Sequence, residues 1–261
     1  FQAPSDPVFV HFEMVPDHLP DALKDLIRRF PPGTLQLEIG VQTFNPAVQA
    51  TISRKQDNSR TEEHIRWLSE QTHAHLHADL IVGLPGENLG SFGHGFDRLV
   101  RLGPDEIQVG LLKRLKGTPV LQHIDRYGLR FDPASPYTIV ATNDIGFRDM
   151  QRMKRFARFW DLIANSGRFV RTLPFILKDR PFERFMALSD WIYAETSAMH
   201  GIALERLAAL VTEWLALNGE DAKAARTLVG ADFISRSERN RTPANPLHKA
   251  RIRQARRIAT T

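Results

Sequence analysis

The chain contains no cysteine. That excludes disulfides, and it excludes thiolate ligation of zinc or of an iron–sulfur cluster by any residue of this sequence. No apolar run approaches the roughly 18 residues of a membrane-spanning helix. No basic-then-apolar leader suggests export. The expectation is therefore a cytoplasmic protein with no membrane association. The glycine spacings of the phosphate-binding loop and of the dinucleotide fingerprint are absent as well. Gly83 and Gly86 are accordingly expected to form a turn. The sequence opens on Phe1 rather than Met and enters strand-like sequence almost at once, as a part of a longer protein would.

What is present suffices for a packed protein. The 261 residues are 42% hydrophobic and 25% charged, with a formal net charge of +5. This length fits one large βα domain, or a domain with an appendage. Much of the basic excess lies near the end, at Arg236, Arg239, Arg241, Lys249, Arg251, Arg253, Arg256 and Arg257. Such a cluster can meet an acidic partner. No nucleic-acid-binding motif accompanies it, so a solvated chain end is expected and nucleic acid is not an expected partner.

The first part alternates strands and helices. Residues 8–13 form a strand candidate that ends at Val15-Pro16-Asp17. A helix runs from Pro20, a residue tolerated in the first turn, to about Phe30, where Pro31-Pro32-Gly33 stops it. In residues 35–41, Leu35, Leu37, Ile39 and Val41 alternate with Gln36, Glu38 and Gly40, the period of a strand with one buried face. A helix starts at Pro46, breaks near Asp57-Asn58 and resumes over 61–70, with Ser59 or Thr61 as its cap. Strand 76–82, helix 89–102 and strand 106–112 follow. A repeat of about 30 to 40 residues fits βα units with parallel strands.

After Lys113 the pattern changes. A short helix is expected over 120–127 and a loop over 133–136. Beyond Asp144 only helices are expected, over 146–165, 181–199, 201–217 and 220–229. Phe156, Phe159, Trp160, Trp191, Tyr193 and Trp214 are expected to pack in a core. The resulting division is an α/β part over 1–135, an α-helical appendage over 136–235 and a basic flexible tail over 236–261. Four parallel strands are too few to close an eight-stranded barrel. They form an open sheet or the second half of a larger partial barrel, and an unpaired edge at 8–13 implies further strands upstream.

Ligands of parallel βα folds collect at the C-terminal ends of the strands. The polar residues there are Glu13, Gln42, Asn45, Asp79, Lys113 and Arg114, and Arg54 can reach back from the helix after the second strand. Two acids, an amide and an arginine suit a zwitterion that carries hydroxyls. Gln42 and Asn45 have an ordinary alternative as helix caps, whereas Asp79 in an apolar strand needs a partner. His73, His75 and His77 alternate on one side with Asp79. No carboxylate–His helix spacing supports a metal site, so none is assigned, and His77 is a candidate cavity residue.

The segment Gly40-Val41-Gln42-Thr43-Phe44-Asn45, followed by Ser53-Arg54-Lys55-Gln56-Asp57, resembles a stretch of radical S-adenosylmethionine (SAM) enzymes related to the oxygen-independent coproporphyrinogen oxidases. Asp79-Leu80-Ile81-Val82-Gly83-Leu84-Pro85 resembles a second stretch at the matching separation, and Glu13 a strand-end glutamate one unit earlier. The resemblance covers residues 8–120. It implies the second half of a radical SAM partial (βα) barrel. It also implies SAM contacts by Glu13, Gln42, Arg54 and Asp79, with Lys113 where such proteins hold the adenine. Residues 108–119 and 155–169 resemble the C-terminal half of cobalamin-binding-domain-containing radical SAM proteins with a C-terminal domain of unknown function.

For the complete protein the resemblance implies reductive cleavage of SAM to a 5′-deoxyadenosyl radical. A 4Fe-4S cluster and cobalamin would be held by residues outside this sequence. A reductant such as flavodoxin or ferredoxin would supply the electron, and the small-molecule substrate is unspecified. This cysteine-free chain alone is expected to be inactive. Two other readings stay open: a βα enzyme with Glu13 and Asp79 as acid and base, and a non-catalytic, degenerate SAM-fold binding module.

Overall fold

Leu35, Leu37, Ile39 and Val41 are almost fully withdrawn from solvent, while Gln36, Glu38, Gly40 and Gln42 between them are half-buried. Each buried aliphatic side chain favours folding by roughly 1.5–3 kcal/mol relative to exposure, so this alternation fixes which face of the strand turns inward. The structure is a computed structural model that describes residues 8–239. Its first unit holds a four-stranded sheet of β1 (Val10–Met14), β2 (Leu35–Gln42), β3 (His75–Val82) and β4 (Glu106–Leu111). All three pairings are parallel and the strand order is β1-β2-β3-β4. The fold class is α/β, as the alternation requires.

The crossovers are α1 (Asp21–Arg28), α2 (Pro46–Thr51) with α3 (Asn58–Gln71), and α4 (Leu89–Leu102). Asn45 caps α2, accepting from the amides of Ala47 and Val48. The cap of α3 is Asp57, not Ser59 or Thr61: its carboxylate accepts from the amides of Ser59 and Arg60. Asp57 is the last extended residue, so the helix has already begun at the two positions expected to cap it. Asn88 caps α4, and Gly103 ends it in a left-handed conformation with φ 75°. Gly83 and Gly86 form the turn after β3, with φ of 87° and 85°. A Cβ on Gly86 would stand 3.2 Å from the Tyr127 ring, so that turn needs glycine for space as well as for backbone conformation.

After β4 a 3₁₀ turn (Pro119–His123) leads into α5 (Ile124–Tyr127). An antiparallel pair follows, β5 (Arg130–Phe131) with β6 (Ile139–Ala141). This pair is absent from the sequence reading because strands of two and three residues are too short to show a period. It also corrects the boundary expected near residue 135. The Ile139 amide donates to Leu112 O and the Arg114 amide to Tyr137 O, which binds the pair to the chain leaving β4. The first unit therefore extends to Gly146.

The second unit begins at Phe147. It contains α6 (Phe147–Trp160), a π-helical turn (Asp161–Asn165), α7 (Leu173–Leu177), α8 (Pro181–Thr196), α9 (Leu204–Leu217) and α10 (Ala222–Arg239). Phe156, Phe159, Trp160 and Trp214 lie in its core as their helical spacing implies. Trp160 meets Phe185 edge-on with centroids 4.9 Å apart. Tyr193 does not join the core: it is 37% exposed and lies under the Arg155 guanidinium. Helix α10 runs past the expected end at 229 and through the first part of the expected tail. The rest of that tail, from residue 240, lies outside the described residues.

Candidate functional site

The half-buried face of the sheet carries its charge. Parallel register places Glu13, Glu38, His77 and Glu106 in one row across all four strands. The next row toward the strand ends holds Gly40, Asp79 and Gln108. Within this face the ions pair. His11 Nε2 lies 3.1 Å from Glu38 Oε2. Glu106 bridges two imidazoles, with His75 Nε2 at 3.0 Å and His77 Nδ1 at 3.4 Å. His77 Nε2 is 2.9 Å from Gln108 Oε1 and 3.1 Å from Asp79 Oδ1. The Asp79 and Glu106 carboxylates raise the His77 pKa to about 10, and the two histidines lower that of Glu106 to about 2.

At the end of β2 the backbone turns sharply. Gln42 has φ 64°, the register slips between Gly40 and Gln42, and the Thr43 amide donates to Val41 O at 2.8 Å. A three-residue turn centred on a non-glycine residue with positive φ is strained, and the surroundings hold it from several sides. An Arg54 Nη donates to Gly40 O. Gln49 Nε2 donates to Thr43 O and Asn58 Nδ2 to Phe44 O, each at 2.8 Å. Thr43 Oγ1 donates to Glu87 Oε1 at 2.6 Å, and Ser91 Oγ donates to the same oxygen. Arg54 continues to Gln56, Gln56 to Asn58, and Asn58 accepts from Gln49. One hydrogen-bonded chain thus runs from Arg54 to the buried Glu87.

Three of the five expected site residues meet here. Arg54 is bonded to the carbonyl of Gly40, Gly40 is the register partner of Asp79, and Gln42 forms the turn above them. Arg54 is half-buried, and its desolvation lowers its pKa against the raising effect of Asp17. Glu13 is on the same sheet face but on β1, with β2 between it and Asp79. Lys113 lies beyond β4, exposed, bridged to Thr138 through backbone. Among the described residues neither the Glu13 nor the Lys113 side chain has a hydrogen-bond or ion-pair partner. Of the two helix-cap alternatives Asn45 is a cap and Gln42 is not.

Free valence remains at the three clustered residues. Among the described residues the Gln42 amide and Arg54 Nη1 have no partner. No hydrogen bond reaches Asp79 Oδ1, which is buried, while the Asp79 side chain as a whole is 20% exposed. No group of three His, Asp or Glu among the described residues is arranged to hold a metal ion. No described helix is long and apolar enough to cross a membrane. Sequence reasoning missed Glu87, Glu38 and Glu106. Period-two alternation marks the last two as lying on the polar face with Asp79, but only the fold pairs them with histidines.

The chain is similar to proteins of known name over part of its length. The chain is 32% identical over 111 residues to an oxygen-independent coproporphyrinogen III oxidase of Thermostichus vulcanus, covering 41% of this chain and 33% of that protein. It is 31% identical over 77 residues to the enzyme of the same name from Synechocystis sp., covering 30% of this chain and 16% of that one. The match therefore spans a third or less of these relatives' own length. Among solved structures, the coproporphyrinogen III oxidase of Escherichia coli, a radical SAM enzyme, aligns with a TM-score of 0.43 at 22% identity, over 61% of this chain and 32% of that one. The later part of the chain, residues 125–259, matches a family model described as protein of unknown function (DUF4080). That model takes in more than half of the sequence, and the chain belongs to the DUF4080 family.

Proposed function

We propose that the first unit is the SAM-holding part of a radical SAM core. The observation that carries this is the rim of β2 and β3, where Arg54 is bonded to the carbonyl of Gly40, Asp79 is the register partner of Gly40, and Gln42 follows two residues on with its side-chain amide unbound. An amino acid joined to a ribose offers the complementary groups. Arg54 Nη1 suits its carboxylate. Asp79 Oδ2 and the Gln42 amide suit the ribose hydroxyls or the methionine part. Glu13 is an acceptor on the same face for an ammonium or hydroxyl, and the backbone around Lys113 is a place for the adenine. The similarity to coproporphyrinogen III oxidases supports this assignment.

Bound SAM would supply the precursor of a 5′-deoxyadenosyl radical. The chain's own residues orient it and hold its charges while the reacting bond is brought to the electron donor. The 4Fe-4S cluster does not fit any residue here, since the sequence offers no thiolate; its ligands belong to other parts of the complete protein. Cobalamin assistance, a flavodoxin- or ferredoxin-type reductant, a small-molecule substrate and a cytoplasmic location complete the proposal. Acid–base chemistry by Glu13 and Asp79 is the weaker reading. Glu13 and Asp79 stand two strands apart and one row out of register, about 12 Å between their backbones, and Asp79 already faces the His77 cation.

Calorimetric titration of the chain with S-adenosylhomocysteine tests the assignment. Arg54→Ala and Asp79→Asn are each expected to weaken binding about tenfold, the effect of losing one charge-assisted hydrogen bond. Equal affinity in the parent and both variants, or no binding by the parent, overturns it.

A further inference from the structure

His77 is bound at both ring nitrogens. Nε2 faces Gln108 Oε1 at 2.9 Å and Asp79 Oδ1 at 3.1 Å, and Nδ1 faces Glu106 Oε2 at 3.4 Å. Every one of these atoms is an acceptor, so both ring nitrogens carry a proton; the single Nε2 hydrogen goes to Gln108 Oε1, and Asp79 Oδ1 faces the positive charge of the ring. Asp79 Oδ1 is buried and receives no hydrogen bond, which makes the His77 cation its only compensating partner among the described residues. A buried carboxylate oxygen without such a partner is costly. The Asp79 side chain is nevertheless 20% exposed, which leaves Oδ2 as the oxygen that can face a ligand.

We propose that His77 is a positioning residue: its imidazolium, anchored to β4 through Glu106 and Gln108, fixes Asp79 Oδ1 and so presents Oδ2 at the ends of the strands. The anchoring extends further. Glu106 is shared with His75, which also approaches Asp105 at 4.0 Å. From β2 the register neighbour of His77 is Glu38, which is paired with His11. The ring therefore sits among Glu38, Asp79, Glu106 and Gln108, with His75 as the other nearby base. In this setting Asp79 already has its cation. Its free oxygen selects a neutral donor such as a hydroxyl over a second ammonium, because adding a positive charge beside the imidazolium is repulsive. The selection of ligand rests on the SAM reading above; the positioning does not.

The test has two arms on the full chain. In the first, carbon-13 NMR follows the His77 ring through pH and records the Asp79 carboxyl carbon at pH 7. The ring is expected to stay protonated at pH 8 and to titrate near pH 10. In His77→Gln the Asp79 carboxyl resonance at pH 7 is expected to move from its position in the parent, and in His77→Lys, which restores a cation, to return toward it. An Asp79 carboxyl resonance at the same position in parent and His77→Gln overturns the proposal. In the second arm S-adenosylhomocysteine binding is measured. A loss of about tenfold in His77→Gln, recovered in part in His77→Lys, supports the proposal. Unchanged affinity in His77→Gln beside a loss in Asp79→Asn overturns the positioning role and leaves the SAM site standing. If the parent does not bind the probe, the SAM reading fails and the position of the carboxyl resonance alone decides the positioning. A misfolded His77→Gln variant is recognised by its loss of amide dispersion, and His77→Asn, which retains a donor, then replaces it.

Discussion

Thr43 and Glu87, 44 residues apart in sequence, share a buried hydrogen bond of 2.6 Å that ties the end of β2 to the start of α4. Glu87 is 2% exposed, its Oε1 accepts from both Thr43 and Ser91, and its Oε2 has no partner. Burial raises its pKa above the ordinary 4.5 despite those two bonds. A carboxyl whose folded pKa is raised favours the fold below the unfolded pKa, and this contribution is lost as pH rises through the folded value. Ionising Glu87 is thus a cost to the fold. Glu87→Gln keeps the acceptor for Thr43 and Ser91 and removes the charge. Its melting temperature should exceed that of the parent at pH 7 and converge with it near pH 4. Equal differences at the two pH values would show that desolvation of the charge is not what matters.

The imidazolium of His77 gives a pH dependence of the same sign in a more alkaline window. Its folded pKa of about 10 is raised above 6.5 by Asp79 and Glu106. Its stabilising contribution is complete below the unfolded value and disappears as pH rises through about 10. Glu106, lowered to about 2, contributes above its ordinary 4.5 and loses that contribution as pH falls through about 2. The two describe one shared contact. Urea midpoints of the parent should therefore fall between pH 7 and pH 10, and His77→Gln should flatten that slope. A parent curve without this fall would show that the pair does not stabilise the fold.

The α/β alternation and the limits of α4 were legible because both faces of each element are written locally. Leu35 to Val41 alternate, and Asn88 and Gly103 bracket one helix. The α3 cap was misplaced by two residues or more because Asp57, Ser59 and Thr61 are all good caps, and only the extended backbone at Asp57 decides among them. The antiparallel pair at 130–141 was invisible, since its stability comes from backbone bonds to Leu112 and Arg114 rather than from any side-chain period. At the site, strand-end position picked out Gln42 and Asp79. What was not legible was that Arg54 spends one donor on Gly40 O, and that His77 occupies one side of Asp79. Both are contacts across strands or loops, which no local pattern encodes.

In the second unit Asp232 offers a sharp test of long-range polar satisfaction. It is 1% exposed and accepts from the amides of Arg171 and Thr172 and from the Thr172 hydroxyl, at 2.7–3.0 Å. Asp232→Ala would strand three donors at the entry to α7, two of them buried. The expected cost is about 3 kcal/mol, at the upper end for one buried hydrogen-bonded group. Chemical denaturation should show this loss, with Asp232→Asn intermediate because one of its two acceptor positions becomes a donor. A cost below ~1 kcal/mol for the alanine variant would mean that water replaces the carboxylate.

Gln42 separates stability from function. With φ 64° it occupies a conformation that costs a residue bearing a Cβ roughly 1–2 kcal/mol. Glycine adopts it freely, although its added freedom in the unfolded chain offsets about 0.5–1 kcal/mol of the gain. Gln42→Gly should therefore leave the fold as stable as the parent or more so, by up to ~1 kcal/mol. It should at the same time weaken S-adenosylhomocysteine binding, since the amide offered at the rim is gone. Gln42→Ala keeps the strain and loses the amide, so it should bind as poorly as the glycine variant without the gain in stability. Measured together by denaturation and calorimetry, the pair of variants distinguishes the possibilities. Strain kept for function predicts higher stability with lost binding in Gln42→Gly. Strain that merely accommodates the crossover predicts that binding survives both substitutions. The clamps on Gly40 O, Thr43 O and Phe44 O favour the first outcome, because they hold the turn at its flanks and leave the Gln42 side chain itself unbound.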